Sequence, residues 1–203
     1  MYDRNVENVT AFILAGGKSS RMGADKAFLE LGGRTLLARA LEMAGSVAQQ
    51  VRAVGDKTKF APFGIVVDDI YPECGPLGGI HAALMSTTTD FNLMLAVDLP
   101  FMRREFLELL LSEARRTKAM VTVARVAGFF QPLCAVYRKE FTEVAERSLQ
   151  AGKNKIGSLF GEVNTRVIEE EELRKAGFAV ELFRNLNTPE EWEYAKLEFG
   201  KRS

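Results

Sequence analysis

Short apolar runs rich in β-branched and aromatic residues recur along the chain at 9–14, 50–54, 65–67, 92–97, 120–126 and 133–137. Their length and composition predict β-strands. Between them lie segments at 36–48, 77–86, 104–117 and 139–149 in which apolar residues return every three or four positions. Phe106, Leu107, Leu110, Leu111 and Ala114 form one such stripe and predict an amphipathic helix. The strands are apolar nearly throughout rather than at alternate positions, which indicates a sheet covered on both faces. Strand and helix alternate, so the pattern predicts a three-layer αβα fold around a mostly parallel, Rossmann-like sheet. The last third is less regular. Residues 152–161 mix cations with small residues, and Glu169 to Glu172 read as a solvated helix start favoured by the macrodipole. Thr188-Pro189-Glu190-Glu191 reads as an N-cap, a first-turn proline and an acidic pair, predicting a closing helix over 189–199. No repeat or linker divides the chain, so one domain is expected over 1–203.

Charge and composition narrow the partners. The 203 residues include 27 Lys plus Arg and 27 Asp plus Glu, and 47% are apolar. A balanced charge leaves no broad basic field for a nucleic acid or an anionic membrane, so a polyanionic ligand should meet a local cluster of cations. The opening MYDRNVENVT places Asp3, Arg4 and Glu7 where a signal peptide needs an apolar stretch, and no run approaches the roughly 20 apolar residues of a membrane span. A cytoplasmic protein is expected. Cys74 and Cys134 stand apart without a CxxC or a nearby histidine pair and read as plain thiols.

The densest chemistry follows the first strand. In LAGGKSSRMGADKAFLELGG, Leu14 to Gly33, an apolar strand runs into Gly16 and Gly17 and then into Lys18, Arg21 and Lys26. Glycines let amide hydrogens approach a phosphate without an intervening side chain, and the cations neutralise its charge. Two familiar phosphate loops do not fit. A Walker A loop needs glycine where Phe12 stands, and the GxGxxG spacing of a dinucleotide fingerprint is absent.

The block LAGGxxxRMGxDKxxLxLxG resembles the signature of the nucleotide-diphospho-sugar-type nucleotidyltransferases, and specifically of the molybdenum cofactor guanylyltransferases. The similarity continues through Gly75-Pro76-Leu77-Gly78-Gly79-Ile80, Val97-Asp98-Leu99-Pro100-Phe101, Gln131-Pro132-Leu133 with Tyr137, and Asn185-Leu186-Asn187-Thr188-Pro189. The resemblance implies transfer of GMP from GTP to the terminal phosphate of Mo-molybdopterin, with Mg²⁺ as cofactor and pyrophosphate as the second product. It implies as partners the molybdoenzyme apo-proteins, or their chaperones, that receive the product. Leu14, Ala15, Gly16 and Gly17 would hold the nucleotide through the main chain, Lys26 the phosphates, with Arg21 as a second phosphate cation. Two other readings stay open: a cytidylyltransferase or other nucleotidyltransferase with a different phosphorylated acceptor, and a non-catalytic nucleotide-binding module that delivers the cofactor.

Nucleotidyl transfer accumulates negative charge that Mg²⁺, held by one or two carboxylates and the substrate phosphates, commonly balances. Asp98 ends the apolar run 92–97, and Pro100 blocks its continuation. The resemblance gives Asp98 the metal. It also implies a nucleotide-contacting aspartate six residues before the Gly-Pro-Leu element, which is Asp69, or Asp68 if the loop is shifted by one. Asp25 is a candidate to orient Lys26, with a solvent-facing loop acid as the alternative. Gln131, which introduces a strand, and Asn185 and Asn187, expected at another strand's end, match elements lining the acceptor pocket; Asn187 alternatively caps the closing helix or its turn. Arg125, Lys153 and Lys155 are candidates for the acceptor's phosphate. One departure concerns base specificity: where some relatives carry a nucleotide-contacting asparagine, this chain reads Ala53-Val54-Gly55-Asp56, leaving the Gly55 main chain to serve. His81, the only histidine, lies in an apolar helical segment and reads as a packed or surface residue.

Overall fold

The computed structural model describes residues 8–16, 25–71 and 73–200. Among these, the strands are β1 (Val9–Leu14), β2 (Glu30–Leu31), β3 (Arg34–Thr35), β4 (Gln50–Val54), β5 (Ile65–Val67), β6 (Phe91–Ala96), β7 (Val121–Val126), β8 (Phe129–Arg138) and β9 (Thr165–Glu169). The helices are α1 (Leu36–Gly45), α2 (Lys57–Phe60), α3 (Pro76–Met85), α4 (Arg104–Thr117), α5 (Phe141–Gln150), α6 (Ile156–Leu159), α7 (Glu170–Lys175) and α8 (Pro189–Gly200). Seven strands form one sheet in the order β5-β4-β1-β6-β8-β7-β9, and β2 pairs with β3 in a small ribbon. All sheet neighbours run parallel except β8, which is antiparallel to both β6 and β7.

Both faces of the sheet are covered, as its apolar strands require. Along β1, Val9, Ala11 and Ile13 join a core with α1, α4 and α8, whereas Phe12 joins the opposite core with α3 and α5. The alternation of side chains along a strand thus feeds two hydrophobic layers at once. Helix α4 buries the predicted stripe of Phe106, Leu107, Leu110, Leu111 and Ala114 and ends at Lys118, whose left-handed conformation stops it. Helix α1 stops at Gly45, earlier than expected, because Ser46 turns its hydroxyl back onto the Met43 carbonyl at 2.7 Å. The closing helix begins at Pro189 as expected.

The expected and observed architectures differ most in the second half. Strand β8 is twice the length of its apolar run and forms a hairpin with β7 across Ala127 and Gly128, whose φ values of 50° and 81° suit a tight primed turn. Strand β9 closes the edge of the sheet and carries Arg166 and Glu169, so its composition conceals it. Gln131 and Pro132 therefore lie inside β8 rather than before it. Here the β7–β8 register slips between Val123 and Arg125, and the buried Tyr137 donates its hydroxyl to the released Pro132 carbonyl at 2.8 Å.

Candidate functional site

The carboxyl ends of β5, β4, β1 and β6 lie side by side at one edge of the sheet, where open α/β sheets take ligands. Main-chain bonds tie these ends together. Ala15 and Gly16 both donate to the Val54 carbonyl at 3.1 Å, Gly55 donates to Val67 at 3.1 Å, and Val97 donates to Leu14 at 3.3 Å. The chain leaving β1 is thus fixed between the ends of β4 and β6. Gly16 is exposed while Ala15 is buried, so the turn offers backbone rather than side chain to a ligand.

Gly55 is required for that turn. It has a φ of 148°, and a Cβ there would stand 2.9 Å from Phe60 Cε2, 3.1 Å from Gly16 N and 3.3 Å from Gly16 Cα. The buried Phe60 fills the space beneath it and contacts the ring of Phe28 at 5.8 Å between centroids. Asp56 caps α2, the helix that carries Phe60, by accepting from Thr58 N at 2.8 Å.

Lys26 opens a single 3-10 turn, Lys26–Phe28, that reaches across to β6. Its ammonium stands 3.4 Å from Asp98 Oδ2 and donates to Asn187 Oδ1. The Lys26 and Asp98 side chains are only 17% and 18% exposed, so the pair is sheltered without being sealed. Asp98 is held from the far side as well, its carbonyl accepting from Leu186 N at 3.2 Å. Residues 72 and 161 positions apart from Lys26 therefore converge on one ammonium group. Asp25 does not touch that group. It caps the turn by accepting from Ala27 N at 3.2 Å and pairs with Lys59 at 3.1 Å, so it positions Lys26 through the backbone.

Asp69 follows β5 and lies over the start of α3. It accepts from Tyr71 N at 2.9 Å, and a Cβ on Gly78 would come within 2.9 Å of its Oδ1. The bare Gly78 thus makes room for the carboxylate and for the Tyr71 carbonyl, whereas a Cβ on Gly79 would meet Leu14 and Val54 at an ordinary contact distance of 3.6 Å. Crowding against this helix start desolvates Asp69 and raises its pKa, with the Tyr71 N–H and His81 opposing the shift. Asp68 is exposed beside it. His81 is buried with its ring edge-on to Tyr71 at 5.2 Å, and neither ring nitrogen has a hydrogen-bond partner among the described residues. Burial lowers its pKa, which favours the neutral ring.

The remaining candidates are dispersed. Gln131 is half-buried in the β8 bulge and donates to the Phe129 carbonyl at 3.4 Å. Asn185 is exposed, and the segment of Asn185 and Asn187 links a 3-10 turn, Val180–Phe183, to α8 rather than ending a strand. Arg125 is engaged by both carboxylate oxygens of Glu169, at 3.0 and 2.5 Å. Lys153 and Lys155 are exposed. Gly17, Lys18 and Arg21 lie outside the described residues. Cys74 and Cys134 are free thiols.

Asp98 supplies one hard oxygen donor at a strand end, and no group of three His, Cys, Asp or Glu side chains forms a metal cage among the described residues. Such a donor suits Mg²⁺ that keeps most of its shell from water and phosphate, and does not suit a structural cation enclosed by protein. The main-chain turn at Gly16, the Lys26 ammonium and the Asp98 carboxylate together match a phosphorylated nucleotide accompanied by a divalent cation. No helix among the described residues is long and apolar enough to cross a membrane.

Comparison with known proteins agrees with this chemistry. Residues 11–167 match the family model described as a MobA-like NTP transferase domain. A probable molybdenum cofactor guanylyltransferase of Carboxydothermus hydrogenoformans is 34% identical over 190 residues, covering 93% of this chain and 95% of that protein. A molybdenum cofactor guanylyltransferase of Desulfosudis oleivorans is 33% identical over 195 residues, covering 94% and 96%. The crystal structure of molybdopterin-guanine dinucleotide biosynthesis protein A from Archaeoglobus fulgidus superimposes with a TM-score of 0.83 at 26% identity, covering 95% of this chain and 99% of that one.

Proposed function

The chain belongs to the MobA-like NTP transferase family, among relatives named molybdenum cofactor guanylyltransferases, and from that premise we propose that it transfers GMP from GTP to Mo-molybdopterin. The products are the Mo-molybdopterin guanine dinucleotide and pyrophosphate. The observation that carries this reading is the convergence of Lys26 and Asp98, 3.4 Å apart, beside the Gly16 turn. We further propose that residues 1–203 act as one nucleotidyltransferase domain in the cytoplasm, handing the product to molybdoenzyme apo-proteins or their chaperones.

In this mechanism a terminal phosphate oxygen of the acceptor attacks the α-phosphorus of GTP, and the bond from that phosphorus to the β-bridging oxygen breaks. The attacking oxygen is already an anion, so the site needs no strong general base. Catalysis rests on alignment and on neutralising charge in a sheltered site. The main chain of Leu14, Ala15 and Gly16 holds the nucleotide. Lys26 has three N–H donors; among the described residues two face Asp98 and Asn187, which leaves one for a phosphate oxygen. Asp98 would hold Mg²⁺ jointly with the triphosphate, and the ion would supply neutralisation of the charge that develops on pyrophosphate. Asp69 lies farther along the same edge and serves the nucleoside. Gln131 and Asn185 are assigned to the acceptor by their match to the family's motifs alone.

The experiment incubates the full chain with Mg²⁺, purified Mo-molybdopterin and each of the four ribonucleoside triphosphates in turn, following the dinucleotide formed. Formation of the guanine dinucleotide with release of pyrophosphate is expected. Preference for CTP, or nucleotide binding without any dinucleotide, would reject the proposal.

A further inference from the structure

Asn187 occupies a link between a 3-10 turn and α8, so no strand or helix geometry fixes the side chain that receives Lys26. The first turn of α8 does so instead. The Glu191 carboxylate folds back over the helix start, and its Oε2 accepts from Asn187 N at 2.6 Å and from Thr188 N at 3.0 Å. Thr188 Oγ1 completes a capping box by accepting from Glu191 N at 3.2 Å. Such a box needs only the bond to the N-cap amide, here that of Thr188. The bond to Asn187 is additional, reaches one residue beyond the helix, and is the shorter of the two. With Leu186 donating to the Asp98 carbonyl at 3.2 Å, three successive amides are held, one by Asp98 and two by Glu191.

We propose that Glu191 is a positioning residue for nucleotidyl transfer, orienting the Asn187 peptide so that the Asn187 amide oxygen holds Lys26. The proposal rests on the roles given above to Lys26 and Asp98. It assigns Asn187 to the lysine rather than to the acceptor. Without Glu191, Asn187 N and Thr188 N turn to solvent and the Asn187 side chain loses its fixed origin. Among the described residues the lysine then answers to Asp98 alone, and its remaining donor is no longer aimed at the triphosphate. Its charge stays near the phosphates, so ground-state attraction persists while transition-state alignment is lost.

The test measures kcat, KM for GTP and thermal midpoint of the full chain with GTP, Mg²⁺ and Mo-molybdopterin. Glu191→Ala is expected to lower kcat about tenfold with KM for GTP within about threefold, the signature of lost alignment. Glu191→Gln retains an acceptor oxygen and is expected to return kcat to within about threefold of the native value. Thr188→Ala weakens the same helix cap without touching the bond to Asn187, so it should lower the thermal midpoint and leave kcat unchanged. On an Asn187→Ala background, Glu191→Ala should cost nothing more in kcat. Native kcat in Glu191→Ala, an equal kcat loss in Thr188→Ala, or full additivity with Asn187→Ala would overturn the proposal. If Glu191→Ala does not fold, Glu191→Asp, one methylene too short to reach Asn187 N, replaces it under the same criteria. A native chain that forms no dinucleotide overturns the function itself, and the proposal with it. Native turnover with an unaffected Glu191 variant overturns the positioning role alone.

Discussion

Replacing Gly55 by alanine probes how the turn at Gly16 is held. Two penalties act at this position. The first is conformational: a φ of 148° is one that L side chains rarely adopt, at a cost of about 1–3 kcal/mol. The second is contact. The new Cβ would lie 2.9 Å from Phe60 Cε2, and Phe60 is 1% exposed, so the ring has no solvent to swing into. The neighbour able to yield is Gly16, whose N and Cα would stand at 3.1 and 3.3 Å. Overpacking of this kind costs about 1–3 kcal/mol. Gly64 separates the two effects, because its φ of 135° carries the first penalty while nothing lies within 4 Å of its would-be Cβ. Gly55→Ala should therefore be less stable than Gly64→Ala by about 2 kcal/mol, or roughly 4–8 °C in thermal midpoint for a domain of this size. Displacement of Gly16 should also weaken Mg²⁺-GTP binding, measured by titration calorimetry, about tenfold or more in Gly55→Ala alone, since the ligand meets this backbone directly. Equal midpoints and equal GTP affinities in the two variants would refute the argument.

Asp98→Asn preserves shape but removes the charge that anchors the divalent ion, so pyrophosphate release should fall by more than about a hundredfold with little change in thermal midpoint; near-native turnover would refute its role. Arg116 and Arg166 hold the Glu113 carboxyl down to about 2, below its ordinary value of 4.5. Its folded pKa lies below its unfolded one, so its stabilisation is complete above about pH 5 and is lost as pH falls toward 2. Glu113→Gln should accordingly melt below the native chain at pH 7, with the gap closing as the pH is lowered, which a pH series of thermal midpoints checks. Burial likewise depresses the His81 pKa, so the native fold should lose stability as pH drops below about 6.5. His81→Met should flatten that slope in the same series.

Much of this architecture is legible in the amino-acid sequence. The runs at β1 and β6 are buried on both faces, and such strands have few homes other than the centre of a covered sheet; β4, interrupted by Gln50 and Arg52, carries the signal only at its carboxyl end, Ala53 and Val54. Once they are parallel, Gly16, Gly55 and Asp98 must share an edge, which is why the meeting of Lys26 with Asp98 could be expected across 72 positions. The edge strand β9 was not legible, because Arg166 and Glu169 meet ion-pair partners instead of the core and erase the apolar signature. The β7–β8 hairpin was signalled only by Ala127-Gly128, and alanine is an uncommon residue at positive φ. The spacing of Thr188 and Glu191 announced a capped helix. It did not announce that the carboxylate would reach back to Asn187, a matter of side-chain direction that periodicity does not encode. The resemblance gives Asn187 to the acceptor, with a cap of the closing helix as the alternative, and neither reading announces that its amide oxygen accepts from Lys26.

On this reading Lys26 and Asp98 jointly hold the charge of a nucleoside triphosphate at the mouth of the sheet. A crystal structure of the full chain with Mg²⁺ and a non-hydrolysable GTP analogue tests it most directly. We expect the guanosine against the Gly16 main chain, a phosphate oxygen within hydrogen-bond reach of Lys26 Nζ, and the ion bound to an Asp98 oxygen. A triphosphate seated elsewhere, with Lys26 and Asp98 still joined only to each other and to Asn187, would contradict the account.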